Sequence, residues 1–192
     1  FAFGFTNDAI TNRRTFPGIL WACVFFTAAL GVGRTFARET EDGAFIALVL
    51  SPGDRAGLLA AKVLVNLVLT SLTVVFVLPL LVVLMDVKLV DPDNISVTWI
   101  VCAQLFSGLV GFSIIATPLA VMAVSARFAE VLLPLIIFPM VTPVLIAGVS
   151  GTGIALGTVV GDSVLPWLQF TWGFSVLFGV LGIILFEHMV TE

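Results

Sequence analysis

The sequence predicts an all-α fold, a polytopic bundle of transmembrane helices, and three observations predict it. Of the 192 residues, 60% are hydrophobic and only 10% are charged, where a soluble domain carries about 25% charged residues. The mean hydropathy is +1.22. The apolar residues are gathered into long uninterrupted runs. A helix needs about 20 such residues to cross a bilayer core, where every backbone polar group must be bonded internally. Strands of a membrane barrel would be about ten residues long and would alternate in polarity, which these runs do not.

Taken in order, five runs qualify as spans: Phe16 to Gly33, Leu59 to Met85, Val97 to Ser125, Ala129 to Val149, and Leu168 to Met189. The first is short and the third long, so tilt or an end lying in the interface is expected. Residues 1–192 thus read as one transmembrane domain. The chain opens on "FAFGF", with no initiator Met, basic n-region or cleavage site, so a further span upstream is expected, six in all. Basic residues set the orientation. With the 34–58 loop on the cytoplasmic side, that side collects Arg34, Arg38, Arg55, Lys62 and Arg127, against Arg13, Arg14 and Lys88 opposite.

The 34–58 loop holds the densest charge, "RTFARETEDG". After Gly43, Phe45, Leu48 and Val49 recur at helical spacing until Pro52 and Gly53 stop the run, which describes a charged helix end followed by a short apolar helix at the interface. Two readings stand: a solvated loop with a greasy segment resting on the bilayer, or a docking element for a cytoplasmic partner.

Twelve acidic and eight basic residues give a net charge of −4, too little basic surface for nucleic acid. His188, the single histidine, stands beside Glu187 with no second ligand near, so no metal site is expected. The segment "GVSGTGIALG" lacks the lysine and preceding strand of a phosphate loop and reads as a flexible non-cytoplasmic loop. No nucleophile, base and orienting group converge, so the chain is not expected to be an enzyme; any ATP would be hydrolysed on another subunit. Cys23 and Cys102 lie in apolar runs and read as packing or lipid-facing residues. Met85, Met122, Met140 and Met189 are dispersed and read likewise.

Prolines punctuate the spans: Pro79 in the second, Pro118 in the third, and Pro134, Pro139 and Pro143 in the fourth. Each removes a backbone donor and frees a carbonyl, so a kinked or broken helix is expected. Such a helix either shapes a groove and bends during a cycle or is kinked only for packing. Gly108, Gly111 and Ser113, and Gly173, Gly179 and Gly182, mark packing surfaces. Trp21, Trp99, Trp167 and Trp172 read as interfacial anchors.

Several of these stretches together resemble the haem exporter B family, the permease-like membrane subunit of the ABC-type system of cytochrome c maturation. The resemblance runs from "PGILW" through "EDG" and "LSP", then "AKV", Thr70, Pro79, "MD" at Met85 and Asp86, Pro118 and "FPMVTPVLI". It implies an ABC-2 or type V-like permease fold of six spans. It also implies that the 34–58 segment meets an ABC-type ATP-binding subunit, with Arg38, Glu39, Glu41, Asp42, Gly43, Phe45, Leu48 and Arg127 as coupling residues. Asn66, Pro79, Pro118, Pro139 and Pro143 are the expected conformational or path-lining positions.

The further partners implied are a haem-handling membrane protein, a small membrane adaptor and a periplasmic haem chaperone, besides the lipid bilayer. No cofactor is expected on this chain itself: ATP sits on the partner and haem is handled by the complex. The location implied is the bacterial inner membrane, or the mitochondrial inner membrane in an organelle-bearing source. Two departures from the family pattern stand out: Asn66 replaces the histidine of many members, and "RFAE" (Arg127 to Glu130) replaces a basic pair followed by glycines. Rival expectations are a non-transporting scaffold for the ATPase and the haem-handling protein, and an exporter of another small amphipathic substrate.

Overall fold

A computed structural model describes residues 9–41, 55–87, 89, 95–123, 129–161 and 163–191. Five helices follow one another: α1 (Ala9–Glu41), α2 (Arg55–Met85), α3 (Ile95–Ala123), α4 (Ala129–Ala155) and α5 (Leu165–Thr191). There is no strand among the described residues. Each helix holds an apolar stretch long enough to cross a membrane: Thr11–Gly33, Gly57–Met85, Ser96–Ala123, Leu132–Ala155 and Leu165–Ile184. The expected all-α bundle and its five spans are therefore present.

Two helix ends differ from expectation, each for a local reason. α1 does not stop at Gly33 but runs on to Glu41, because the eight residues that follow contain no proline or glycine and include good helix formers. α4 does not end at Val149. "GVSGTG", expected as a flexible loop, forms its last turns, and the helix stops only at Ala155. There Gly157 takes a left-handed φ of 67°, and Thr158 N–H donates to the Gly153 carbonyl at 2.8 Å, a glycine-terminated helix end. α4 also continues through Pro134, Pro139 and Pro143 rather than breaking there.

Asp86 closes α2 in the same way, with φ of 52° and the Val87 N–H donating to the Val82 carbonyl at 3.2 Å. Ser163 caps α5, its hydroxyl accepting from the Leu165 N–H at 3.1 Å.

α3 is the central helix, packing against all four others, and it is the most buried span. Two apolar clusters stack along the bundle. In one, Phe16, Leu20, Trp21 and Val24 of α1 meet Leu81 and Met85 of α2 and Val101, Leu105 and Leu109 of α3. In the other, Phe25, Ala28 and Val32 of α1 meet Leu59 of α2, Phe112 to Ala123 of α3, and Leu133 to Val144 of α4. The pairing of early α1 residues with late α2 and early α3 residues is that of an up-and-down bundle. Phe25 joins three helices edge-on, 6.2 Å from the Phe112 ring and 5.3 Å from that of Phe138. Phe26, Phe76, Val83 and Trp99 point outward, the surface that a lipid-facing span presents.

Candidate functional site

Polar side chains buried in an apolar bundle carry the chemistry, since each has to find a partner away from water. Most of them fall into two groups. The first is a seam between α2 and α3. Lys62, Asn66 and Thr70 are spaced four residues apart, which places them on one face of α2, and all three are buried. Facing them on α3 are Ser113 and Thr117, both fully buried. Asn66 Nδ2 donates to Thr117 Oγ1 at 3.4 Å, the long end of the hydrogen-bond range. The hydroxyls otherwise bond back into their own helices: Thr70 to the Asn66 carbonyl at 2.9 Å and Thr117 to the Ser113 carbonyl at 2.7 Å. Ser113 Oγ has no partner among the described residues. The seam is thus polar, with the Asn66–Thr117 bond running across it.

The second group locks α1, α3 and α4 together. Trp21 is 2% exposed, and its indole N–H donates to Thr152 Oγ1 at 3.0 Å. Its ring lies between two glycines. A Cβ on Gly108 of α3 would fall 2.1 Å from Cη2, and one on Gly148 of α4 would fall 2.4 Å from Cε2. One turn before Gly108, Gln104 donates from Nε2 to the Ala147 carbonyl at 3.2 Å, while its Oε1 is buried with no partner among the described residues. Trp21 is therefore no interfacial anchor. A bonded N–H lets an indole sit in a core, and the glycines supply the room. Trp99 and Trp172, by contrast, are exposed.

Beside the seam, α2 and α5 diverge over α3 and leave an open apolar groove of about 380 Å³, lined by Leu59, Ala60, Val63, Leu64, Ile114, Pro118, Gly179, Gly182 and Ile183. Of the expected path positions, Asn66 and Pro118 come to the same region, because Pro118 follows Thr117, the partner of Asn66. Pro79 and Pro139 lie on exposed faces of α2 and α4, Pro143 is half-buried, and none of the three lines the groove. Arg38, Glu39 and Glu41 lie on the last turns of α1. Asp42, Gly43, Phe45, Leu48 and Arg127 are outside the described residues.

Of the expected small packing residues, Gly108, Gly111, Gly179 and Gly182 meet neighbouring helices, whereas Gly173 faces open space. Cys23 and Cys102 are free thiols, half-buried and exposed. In the sequence Lys62 stands out as a basic residue that helps set orientation and as part of "AKV". The signal for the seam is the Lys62, Asn66, Thr70 repeat in an otherwise apolar run, an ionisable group inside a span being a functional marker by default.

Five membrane-capable helices, four of them packed around the fifth, with a polar seam inside, define a multi-pass helical membrane protein of permease type. The chain belongs to the CcmB protein family, whose model matches residues 1–190, and the resemblance read from its motifs is borne out. It is 31% identical over 146 residues to the heme exporter protein B of Paracoccus denitrificans, covering 76% of this chain and 64% of that one. The namesake from Pseudomonas aeruginosa is 27% identical over 152 residues, covering 79% of this chain and 66% of the relative. For Haemophilus influenzae the identity is 28% over 133 residues, covering 69% and 58%. The chain thus spans just under two thirds of the length of these relatives. No solved structure matches it.

Proposed function

We propose that this chain is the membrane-embedded subunit of an ABC-type complex in cytochrome c maturation. It couples ATP hydrolysis on a separate subunit to haem delivery or to release of the haem-loaded chaperone. The observation that carries the reading is the family match over residues 1–190, joined to relatives that bear the name heme exporter protein B.

The geometry supports a coupling role. α1 continues eight residues past its span, from Gly33 to Glu41, about 12 Å of helix. That charged extension belongs to the same rod that carries Trp21 between α3 and α4. A push on the extension reaches the core through that helix, and the movement in this proposal falls at the polar α2–α3 seam. The membrane in this proposal is the bacterial inner membrane. The partners are the ATP-binding subunit, a haem-handling membrane protein, a small adaptor and the periplasmic chaperone.

One observation favours a second reading, a non-transporting scaffold: Trp21, Gly108 and Gly148 fill the space where α1, α3 and α4 meet. Two experiments decide. Reversing Glu39, Glu41 and Asp42 is expected to abolish cytochrome c maturation while the chain stays inserted, and unchanged maturation would remove the coupling role. Co-purification with the ATP-binding subunit, followed by haem absorbance, separates the readings. Haem that appears only with the haem-handling protein favours a force-transmitting or scaffold subunit. Haem that stays with this chain and its ATPase alone ends the scaffold reading.

A further inference from the structure

α2 carries its polar side chains as a ladder with one rung per turn. Lys62, Asn66 and Thr70 are buried and stand four residues apart, on one face of the helix. α3 answers with Ser113 and Thr117 at the same spacing, both 0% exposed. The two helices run antiparallel, since Leu81 and Met85 of α2 share a cluster with Val101 and Leu105 of α3, while Asn66 Nδ2 donates to Thr117 Oγ1. Four residues forward on α2 therefore match four residues back on α3, and Thr70 stands level with Ser113.

Only one of these two rungs is closed. Thr70 donates instead to the carbonyls of Asn66 and Leu67, at 2.9 and 3.1 Å, and Ser113 Oγ is buried with no partner among the described residues. A hydroxyl kept from water needs a partner, and one turn of travel supplies it. If α2 moves by four residues toward its C-terminal end, about 6 Å, Asn66 reaches Ser113 and Lys62 reaches Thr117, whose oxygen can accept from an ammonium. Thr70 gives up nothing, because its bonds lie within α2. The opposite step would set Asn66 against Val121 and close no rung at Ser113.

The rest of α2 tolerates such a step. Beyond Thr70 the same stripe continues through Val74, Leu78, Leu81 and Met85, so against α1 and α3 one apolar residue takes the place of another. The apolar span Gly57–Met85 is 29 residues long, about 43 Å of helix, against a hydrocarbon core of about 30 Å. The excess is about twice the step. α2 is also among the least buried spans, whereas α3 is the most buried.

We infer that α2 is a two-position ratchet, with Asn66 paired to Thr117 in one position and to Ser113 in the other, one helical turn away. One-turn displacements of this kind are an established form of switching between packed helices. The inference deepens the coupling role proposed above and rests on it only for what drives the step.

The test reads the position of α2 by electron-electron resonance between two spin labels. Cys23 and Cys102, the free thiols, are changed to alanine, and Val65→Cys and Trp99→Cys, both at exposed positions, carry the labels. The two sites lie about 28 Å apart along the bundle, so the step shortens their separation by about 5 Å. Thr117→Val, which withdraws the first station, is expected to shift the population to the shorter distance, and adding Ser113→Ala to return it; Thr117→Ala serves should valine not fold by circular dichroism. One unchanged distance in all variants would overturn the ratchet. In the complex with the ATP-binding subunit, a non-hydrolysable ATP analogue is expected to produce the same shortening in the parent chain. A shift in Thr117→Val that nucleotide does not reproduce would keep the ratchet and end the coupling role.

Discussion

The wedge of Trp21 between two glycines allows a quantitative test of what holds α1, α3 and α4 together. In Gly108→Ala the new Cβ falls 2.1 Å from Cη2 and 2.5 Å from Cζ3 of Trp21, where carbons prefer about 3.5–4.0 Å. The ring cannot swing aside, because the α4 backbone at Gly148 lies against its other atoms and its N–H is tied to Thr152. The helices must part instead. Overpacking of this kind costs about 1–3 kcal/mol, and the strained indole hydrogen bond adds about 1 kcal/mol, so a loss of about 3 kcal/mol is expected.

In a Trp21→Leu background the shorter side chain does not reach α3, and the same alanine should cost less than about 1 kcal/mol even though Trp21→Leu alone leaves a cavity. The coupling in the double-mutant cycle is then about 2 kcal/mol, read from far-ultraviolet circular dichroism during reversible unfolding in mixed micelles. Equal costs of Gly108→Ala in both backgrounds would refute the wedge.

Further expectations follow from the other packed positions. Gln104→Leu removes a hydrogen bond to Ala147 but also the unpartnered Oε1, so stability should stay within about 1 kcal/mol of the parent or rise; a loss above about 2 kcal/mol in the same unfolding assay would mean that the carbonyl has a partner. Asn66→Ala should cost only about 0.6 kcal/mol, as interhelical bonds in membranes do, yet lower cytochrome c maturation if the seam moves during coupling. A large stability loss without a functional one would reverse that assignment. Gly182→Ala, whose Cβ would meet Pro118 at 3.0 Å, should weaken α3–α5 packing by about 1 kcal/mol, while Gly173→Ala, facing open space, should change stability by less than about 0.5 kcal/mol. Thermal unfolding of the two variants side by side checks the pair.

The sequence by itself determined that the chain is a helical membrane bundle and where its spans lie, because the bilayer imposes one length and one backbone solution on any run of apolar residues. Its ordered motifs, from "PGILW" to "FPMVTPVLI", also determined the family. The glycines at 108, 111, 173, 179 and 182 were legible as packing candidates, but not that Gly173 faces open space or what fills the space beside the others. Only the tertiary structure decided that Trp21 is a core wedge and no surface anchor, that "GVSGTG" is the end of a helix, and that Lys62, Asn66 and Thr70 face Ser113 and Thr117. It likewise separated Pro118, at the floor of the groove, from Pro79 and Pro139 on exposed faces. The physical reason is that hydropathy reports how deep in the membrane a residue can lie but not which way it faces. A helix that is apolar all round carries no amphipathic stripe to orient it. Between helices immersed in lipid, small residues, ring shape and single hydrogen bonds choose the faces that meet, and those choices exist only once the helices are side by side.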